Sequence, residues 1–65
     1  MNISLSNMCK AVRERMKLSQ TVLARMIGSN QTEVSFIERG FIPEDPNKTL
    51  RIKKLFEESL SNGTL

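Results

Sequence analysis

The chain has 65 residues, one domain near the lower size limit for folding without a staple. One cysteine, Cys9, excludes an intrachain disulfide, and the lack of histidine excludes a Cys/His metal site. Apolar packing must therefore supply the core, alone or helped by dimerisation. Ten Lys+Arg against seven Asp+Glu give a formal charge of +3 and a pI of about 9.5, a surplus that suits an anionic partner such as nucleic acid. No stretch approaches the roughly 20 apolar residues of a membrane span. The N-terminus lacks the apolar run of a signal peptide, so a cytoplasmic protein with no membrane partner is expected.

Aromatic residues are few and apolar residues recur at helical spacing, not in strand-like alternation. The first helix is predicted from about Ser6 to Met16. Leu5, Cys9, Val12 and Met16 form its buried stripe, and Ser4 or Ser6 its N-cap. The second helix starts after Leu18 with Ser19 as N-cap, turns Leu23, Ala24 and Ile27 inward, and stops at Gly28. The third starts from Asn30, with Glu33 placed to close a capping box, faces Val34 and Ile37 inward, and stops at Gly40.

A loop with Pro43 follows. Asp45 before Pro46 reads as N-cap and first helical residue, with Asn47 as the competing cap. The fourth helix is predicted over about Pro46 to Leu60, with Leu50, Leu55, Phe56 and Leu60 as core candidates and Ile52 as a further one. Asn62-Gly63 ends it. Met8, Met16 and Met26 read as packing residues, Cys9 as a small core hydrophobe, and Val22 as an exposed apolar spot.

The joint between the second and third helices carries the most information. Only Gly28, Ser29 and Asn30 separate two short helices. So short a connection forces a steep crossing in which the second helix of the pair projects from the body.

The residues around this joint carry a resemblance. Leu18-Ser19-Gln20, Leu23-Ala24, Gly28, Val34-Ser35 and Ile37-Glu38-Arg39-Gly40 reproduce the pattern LSQxxLAxxxG…VSxIERG. In this the chain resembles the XRE-like helix-turn-helix family, which includes the lambda-type phage repressors and Cro proteins. The likeness runs from about Leu5 to Leu60. It implies an all-α, compact four- to five-helix lambda-repressor-like DNA-binding domain. Residues 1–65 would form this single domain, with the helix-turn-helix at about 19–39 and a flexible tail at 61–65.

The resemblance also implies roles. The third helix would lie in the major groove with its first residues at base edges. Gln20, at the start of the second helix, matches a phosphate-contacting position, and Arg13 and Glu38 match a partly buried structural ion pair. Three departures stand out. The loop between Gly40 and Thr49-Leu50 is about one residue longer than usual, Phe36 stands where a polar or basic residue is common, and little chain follows the fourth helix. Many relatives carry a fifth helix there that supports dimerisation, so a homodimer on DNA is an expectation without its usual interface.

Each candidate reader has a structural alternative. Gln31 can bond adenine N6 and N7 bidentately, or be a solvated first-turn residue. Thr32 can offer its methyl to thymine or its hydroxyl to a phosphate. Glu33 can accept from cytosine N4, although capping accounts for it without DNA. Phe36, on the side of Thr32, can pack on a thymine methyl or fold back against Phe41 or Ile42. Ser35 serves either a phosphate or helix packing. Arg39 and Lys48 flank the loop after the third helix, where the DNA backbone would pass, and join Gln20 and Asn30 as phosphate candidates, while Lys53 and Lys54 read as a solvated face.

Enzyme readings fail on inventory. No histidine serves as base, Glu57 and Glu58 point to different helix faces, and no glycine-rich loop cradles phosphate. No cofactor is expected. The predicted function is a sequence-specific transcriptional regulator, a repressor of phage or mobile-element kind that binds a palindromic operator on double-stranded DNA. The alternative is a protein-interaction module of the same fold, an antitoxin or anti-repressor, suggested by Val22, Phe36, Phe41 and Ile42.

Overall fold

Each helix of the protein begins on a side-chain oxygen. In the computed structural model, which describes residues 3–62, these helices are α1 (Leu5–Met16), α2 (Gln20–Ile27), α3 (Gln31–Glu38) and α4 (Pro46–Asn62). Ser4 Oγ accepts from the Asn7 amide at 3.1 Å, Ser19 Oγ from Val22 at 3.1 Å, Asn30 Oδ1 from Glu33 at 2.8 Å and Asp45 Oδ1 from Asn47 at 2.9 Å. Each bond satisfies an amide that the helix itself leaves without a partner. Of the two competing pairs, Ser4 caps rather than Ser6, and Asp45 rather than Asn47.

Three helices end by one device. The amide one residue past a left-handed position reaches back five residues, from Leu18 to the Arg13 carbonyl at 2.9 Å, from Ser29 to Ala24 at 2.8 Å and from Phe41 to Phe36 at 3.0 Å. The positive-φ residues are Lys17 (56°), Gly28 (74°) and Gly40 (112°). Glycine marks two of these turns in the sequence. At the third a lysine takes a conformation that its Cβ disfavours.

Among the described residues, nine form the buried apolar core. α1 gives Leu5, Cys9 and Val12, α2 gives Leu23, Ala24 and Ile27, α3 gives Val34 and Ile37, and α4 gives Ile52. α1 packs on α3 and α4, and α2 packs on the same two. Met8, Met16, Leu18, Leu55 and Phe56 close the edges of this core. Burying one Leu- or Ile-sized side chain stabilises by roughly 1.5–3 kcal/mol, so nine positions leave little reserve.

The phase of α4 corrects the sequence reading. Its inner face runs through Ile52, Leu55, Phe56 and Ser59, a spacing of i, i+3, i+4, i+7. Leu50 lies about 200° around the helix from Ile52 and is 61% exposed, and Leu60 is also exposed. Ser59 is buried in their place, its hydroxyl donating to the Phe56 carbonyl at 2.7 Å. Met26 is likewise exposed rather than packed, on the same side of α2 as exposed Val22. α4 runs to Asn62, past the expected end at Leu60, so the first residues of the expected flexible tail are helical. The rest of that tail, with Gly63, lies outside the described residues.

The two left-handed caps respond oppositely to mutation. Lys17→Gly removes the Cβ conflict and should stabilise by about 0.5–1 kcal/mol after the added unfolded-state entropy. Gly28→Ala introduces the conflict and should cost roughly 1–2 kcal/mol, with the mobile Arg51 guanidinium, 3.4 Å from the new Cβ, giving way. Thermal unfolding would then show Tm raised for the first and lowered by about 4–8 °C or more for the second. Equal signs would contradict this account.

Candidate nucleic-acid interface

α3 divides its residues between two environments. Val34, Ile37 and Glu38 are buried against the body, whereas Gln31, Thr32, Phe36 and Arg39 are exposed, and Ser35 and Glu33 lie between. Helical periodicity produces this split, and the tight Gly28–Asn30 turn orients it. The result is an outward face one helix long, with polar, apolar and cationic side chains in succession.

Behind that face sits a buried carboxylate. Glu38 is 8% exposed and takes a bidentate fork from Arg13, Nε to Oε2 at 2.6 Å and Nη2 to Oε1 at 2.9 Å. Gln20 Nε2 donates to the same Oε1 at 3.2 Å and the Cys9 thiol to Oε2 at 3.7 Å. The Ser6 hydroxyl donates to the Glu38 carbonyl at 2.5 Å. Among the described residues, no buried side-chain N or O atom lacks a partner.

These bonds set the titration of the group. Burial works to raise the Glu38 pKa, but bonds from Arg13 and Gln20 and the Arg13 charge outweigh it and hold the carboxyl below its ordinary 4.5. The Arg13 guanidinium is raised in turn, chiefly by its bond to Glu38. Burial, then the Glu38 charge, push the Cys9 thiol up to about 12, so it stays protonated as a donor.

Gln20 carries this anchor to the surface. Its Nε2 faces Glu38 while its Oε1 accepts from Gln31 Nε2 at 2.7 Å. The first residues of α2 and α3 are thereby joined, and Gln31 is held by a chain that ends in the core. A glutamine suits this position because one amide both donates and accepts.

Glu33 is placed differently from the sequence expectation. Its carboxylate does not close a capping box on Asn30. It accepts from the Ser29 hydroxyl and pairs with Lys48 Nζ at 2.7 Å. Bonds from Lys48 and then Ser29 lower its pKa. Both oxygen-seeking partners of this carboxylate lie outside its own helix, Ser29 in the turn before it and Lys48 on α4. Lys48 thus has a carboxylate partner already, and the Asn30 side-chain oxygen is occupied by the cap.

Phe36 remains 47% exposed, with the Arg39 guanidinium carbon 5.4 Å from its ring centroid. Phe41 meets the ring at 6.4 Å and 61°, an edge-on approach. Arg39 Nη2 also donates to Ser35 Oγ at 3.1 Å. The sequence marks Phe36, Phe41, Ser35 and Arg39 separately. It does not mark Ser6, Cys9 and Ser29 as partners, for serine and cysteine carry no spacing signal that would reveal a carboxylate folded against them.

A family model for helix-turn-helix proteins matches residues 10–55. The chain belongs to the XRE-like helix-turn-helix family. Members are DNA-binding regulators, so α2 and α3 are the helix-turn-helix of a DNA-binding regulator. Neither curated proteins nor solved structures gave a match. Among the described residues, no helix is long and apolar enough to cross a membrane.

The Glu38 site makes a signed pH prediction. A carboxyl whose pKa is depressed on folding stabilises above its unfolded value, and that contribution drains away as pH falls through the folded value. Glu38 and Glu33 share this direction, so stability should fall below pH 4.5. Urea midpoints measured from pH 7 downward should show this loss, shallower in Glu38→Gln. Glu38→Ala at pH 7 leaves Arg13 unpaired and should cost about 2–3 kcal/mol. A midpoint unchanged by that substitution would remove Glu38 from its place as anchor.

Proposed function

We propose that this regulator is a sequence-specific repressor that binds a palindromic operator as a homodimer, with α3 in the major groove of each half-site. The observation that carries the reading is the Gln20–Gln31 bond at 2.7 Å. One amide hydrogen of Gln31 is committed to Gln20. The second hydrogen and Oε1 then suit adenine N7 and N6, a bidentate pair. Fixing the amide beforehand reduces the ordering cost of reading a base.

The remaining candidates fall around this pair. Thr32 and Phe36 share the exposed side of α3 and would face base edges beside Gln31, and Glu33, paired with Lys48, would act there by orienting the helix start. Gln20, Asn30, Ser35, Arg39 and Lys48 would supply the phosphate contacts, with Lys48 sharing its ammonium between Glu33 and the DNA. Half-sites would lie about one helical turn, ~34–36 Å, apart. Repression would act by covering promoter DNA at the nucleoid of a bacterial or phage-infected cell.

A second reading, an antitoxin or anti-repressor that pairs with a protein, draws on a separate observation. Val22, Phe41 and Ile42 are 40%, 48% and 62% exposed. A stoichiometric partner co-purifying with the native chain, in the absence of an operator, would favour it.

Selection from a random duplex library at fixed salt tests the first reading. The expected outcome is an enriched, two-fold symmetric sequence with an adenine in each half that Gln31→Ala ceases to prefer. That substitution should cost about 1–3 kcal/mol at this base with Tm unchanged. Arg39→Ala should flatten the logarithmic salt dependence by about 0.9 for each phosphate it no longer neutralises. No enrichment at ~0.15 M salt, near physiological ionic strength, would rule the reading out.

A further inference from the structure

We propose that Phe36 determines specificity by reading the 5-methyl group of a pyrimidine, that of thymine or of 5-methylcytosine, and that Arg39 positions its ring. This rests on the proposal that α3 lies in the major groove and names one chemical group it reads there. Phe36 is large, apolar and 47% exposed, yet it is no part of the core cluster, which closes without it. Arg39 stands over the ring at 5.4 Å, tied back to Ser35 Oγ at 3.1 Å, and Phe41 meets it edge-on at 6.4 Å. The ring is therefore held in place at the surface by neighbours that are themselves exposed.

A phenyl ring has no hydrogen-bonding group and cannot read the donor and acceptor pattern of base edges. The one apolar group a natural base pair offers in the major groove is the C5-methyl of thymine. 5-Methylcytosine places the same methyl at the same position. A ring already fixed meets this group without losing rotamer freedom on binding.

Charge selects DNA over an apolar protein as occupant of this face. Covering Phe36 also covers the Arg39 guanidinium, which an apolar surface would strip of water with nothing in return. A phosphate beside the groove supplies the counter-charge, in a chain whose formal charge is +3.

The experiment begins with the operator recovered by library selection and the full chain. Each thymine is replaced singly by uracil, which deletes only the 5-methyl group. One thymine per half-site should matter, its replacement weakening binding about three- to fivefold, the worth of one buried methyl-sized group. At that position, 5-methylcytosine should bind tighter than cytosine by a similar factor. The uracil effect should vanish in Phe36→Ala, and in Phe36→Gln if the alanine variant folds poorly, but survive Thr32→Ser, which removes the other methyl on that side. Arg39→Ala should narrow the thymine-to-uracil ratio, whereas a residue that serves only to bind phosphate would weaken both duplexes alike. Binding indifferent to every uracil, or a uracil effect that persists without Phe36, overturns the inference and leaves the operator intact. Failure to recover any operator overturns instead the sequence-specific reading beneath it.

Discussion

The Glu38 carboxylate is the constraint on which the domain is built. A charge at 8% exposure is tolerable only if its lone pairs are filled. Filling them requires Arg13 and Cys9 from α1 and Gln20 from α2, all brought to the last residue of α3. Hydrophobic burial would tolerate small slides among these helices. A bidentate fork would not, because its two bonds fix both distance and angle. The buried ion pair therefore does less to add net stability than to specify how the helices meet.

That specification reaches the surface through Gln20. In a domain with a nine-residue apolar core, a side chain on the first turn of α3 would ordinarily be free to sample rotamers. The link from Glu38 through Gln20 to Gln31 ties a surface amide to a buried carboxylate held from α1 and α2. The same economy appears at the other end of α3, where Arg39 steadies Phe36 while retaining its charge. The Glu33–Lys48 pair completes the frame by tying the start of α4 to the first turn of α3. Neighbouring charges and amides thus preorganise the outward face where there is too little core to do so.

The local elements are legible in the sequence because their signals are local. Ser19, Asn30 and Asp45 cap within three residues of themselves, Gly28 and Gly40 mark their own turns, and the stripes Leu5-Cys9-Val12 and Leu23-Ala24-Ile27 follow the helical period. The motif around the three-residue turn suffices for the family. The inner face of α4 is only partly legible, because a helix with apolar residues on more than one side does not reveal its phase. Which side is inner depends on where α1 and α2 stand, and that turns Ile52 and Ser59 inward and Leu50 outward.

The four helices, the caps at Ser19, Gly28, Asn30 and Gly40, the helix-turn-helix and the chemical types on its outer face are written in the order of residues. How those types combine is not, and packing settles it. Packing gives Glu33 to Lys48 across 15 positions rather than to its own helix start. It joins Gln20 to Gln31 across 11, and sets Arg39 on Phe36 with Phe41 alongside. The physical reason is range. Capping and periodicity act within a turn or two of chain, whereas a carboxylate, an amide or a ring takes whichever partner the packed helices leave within a few ångströms.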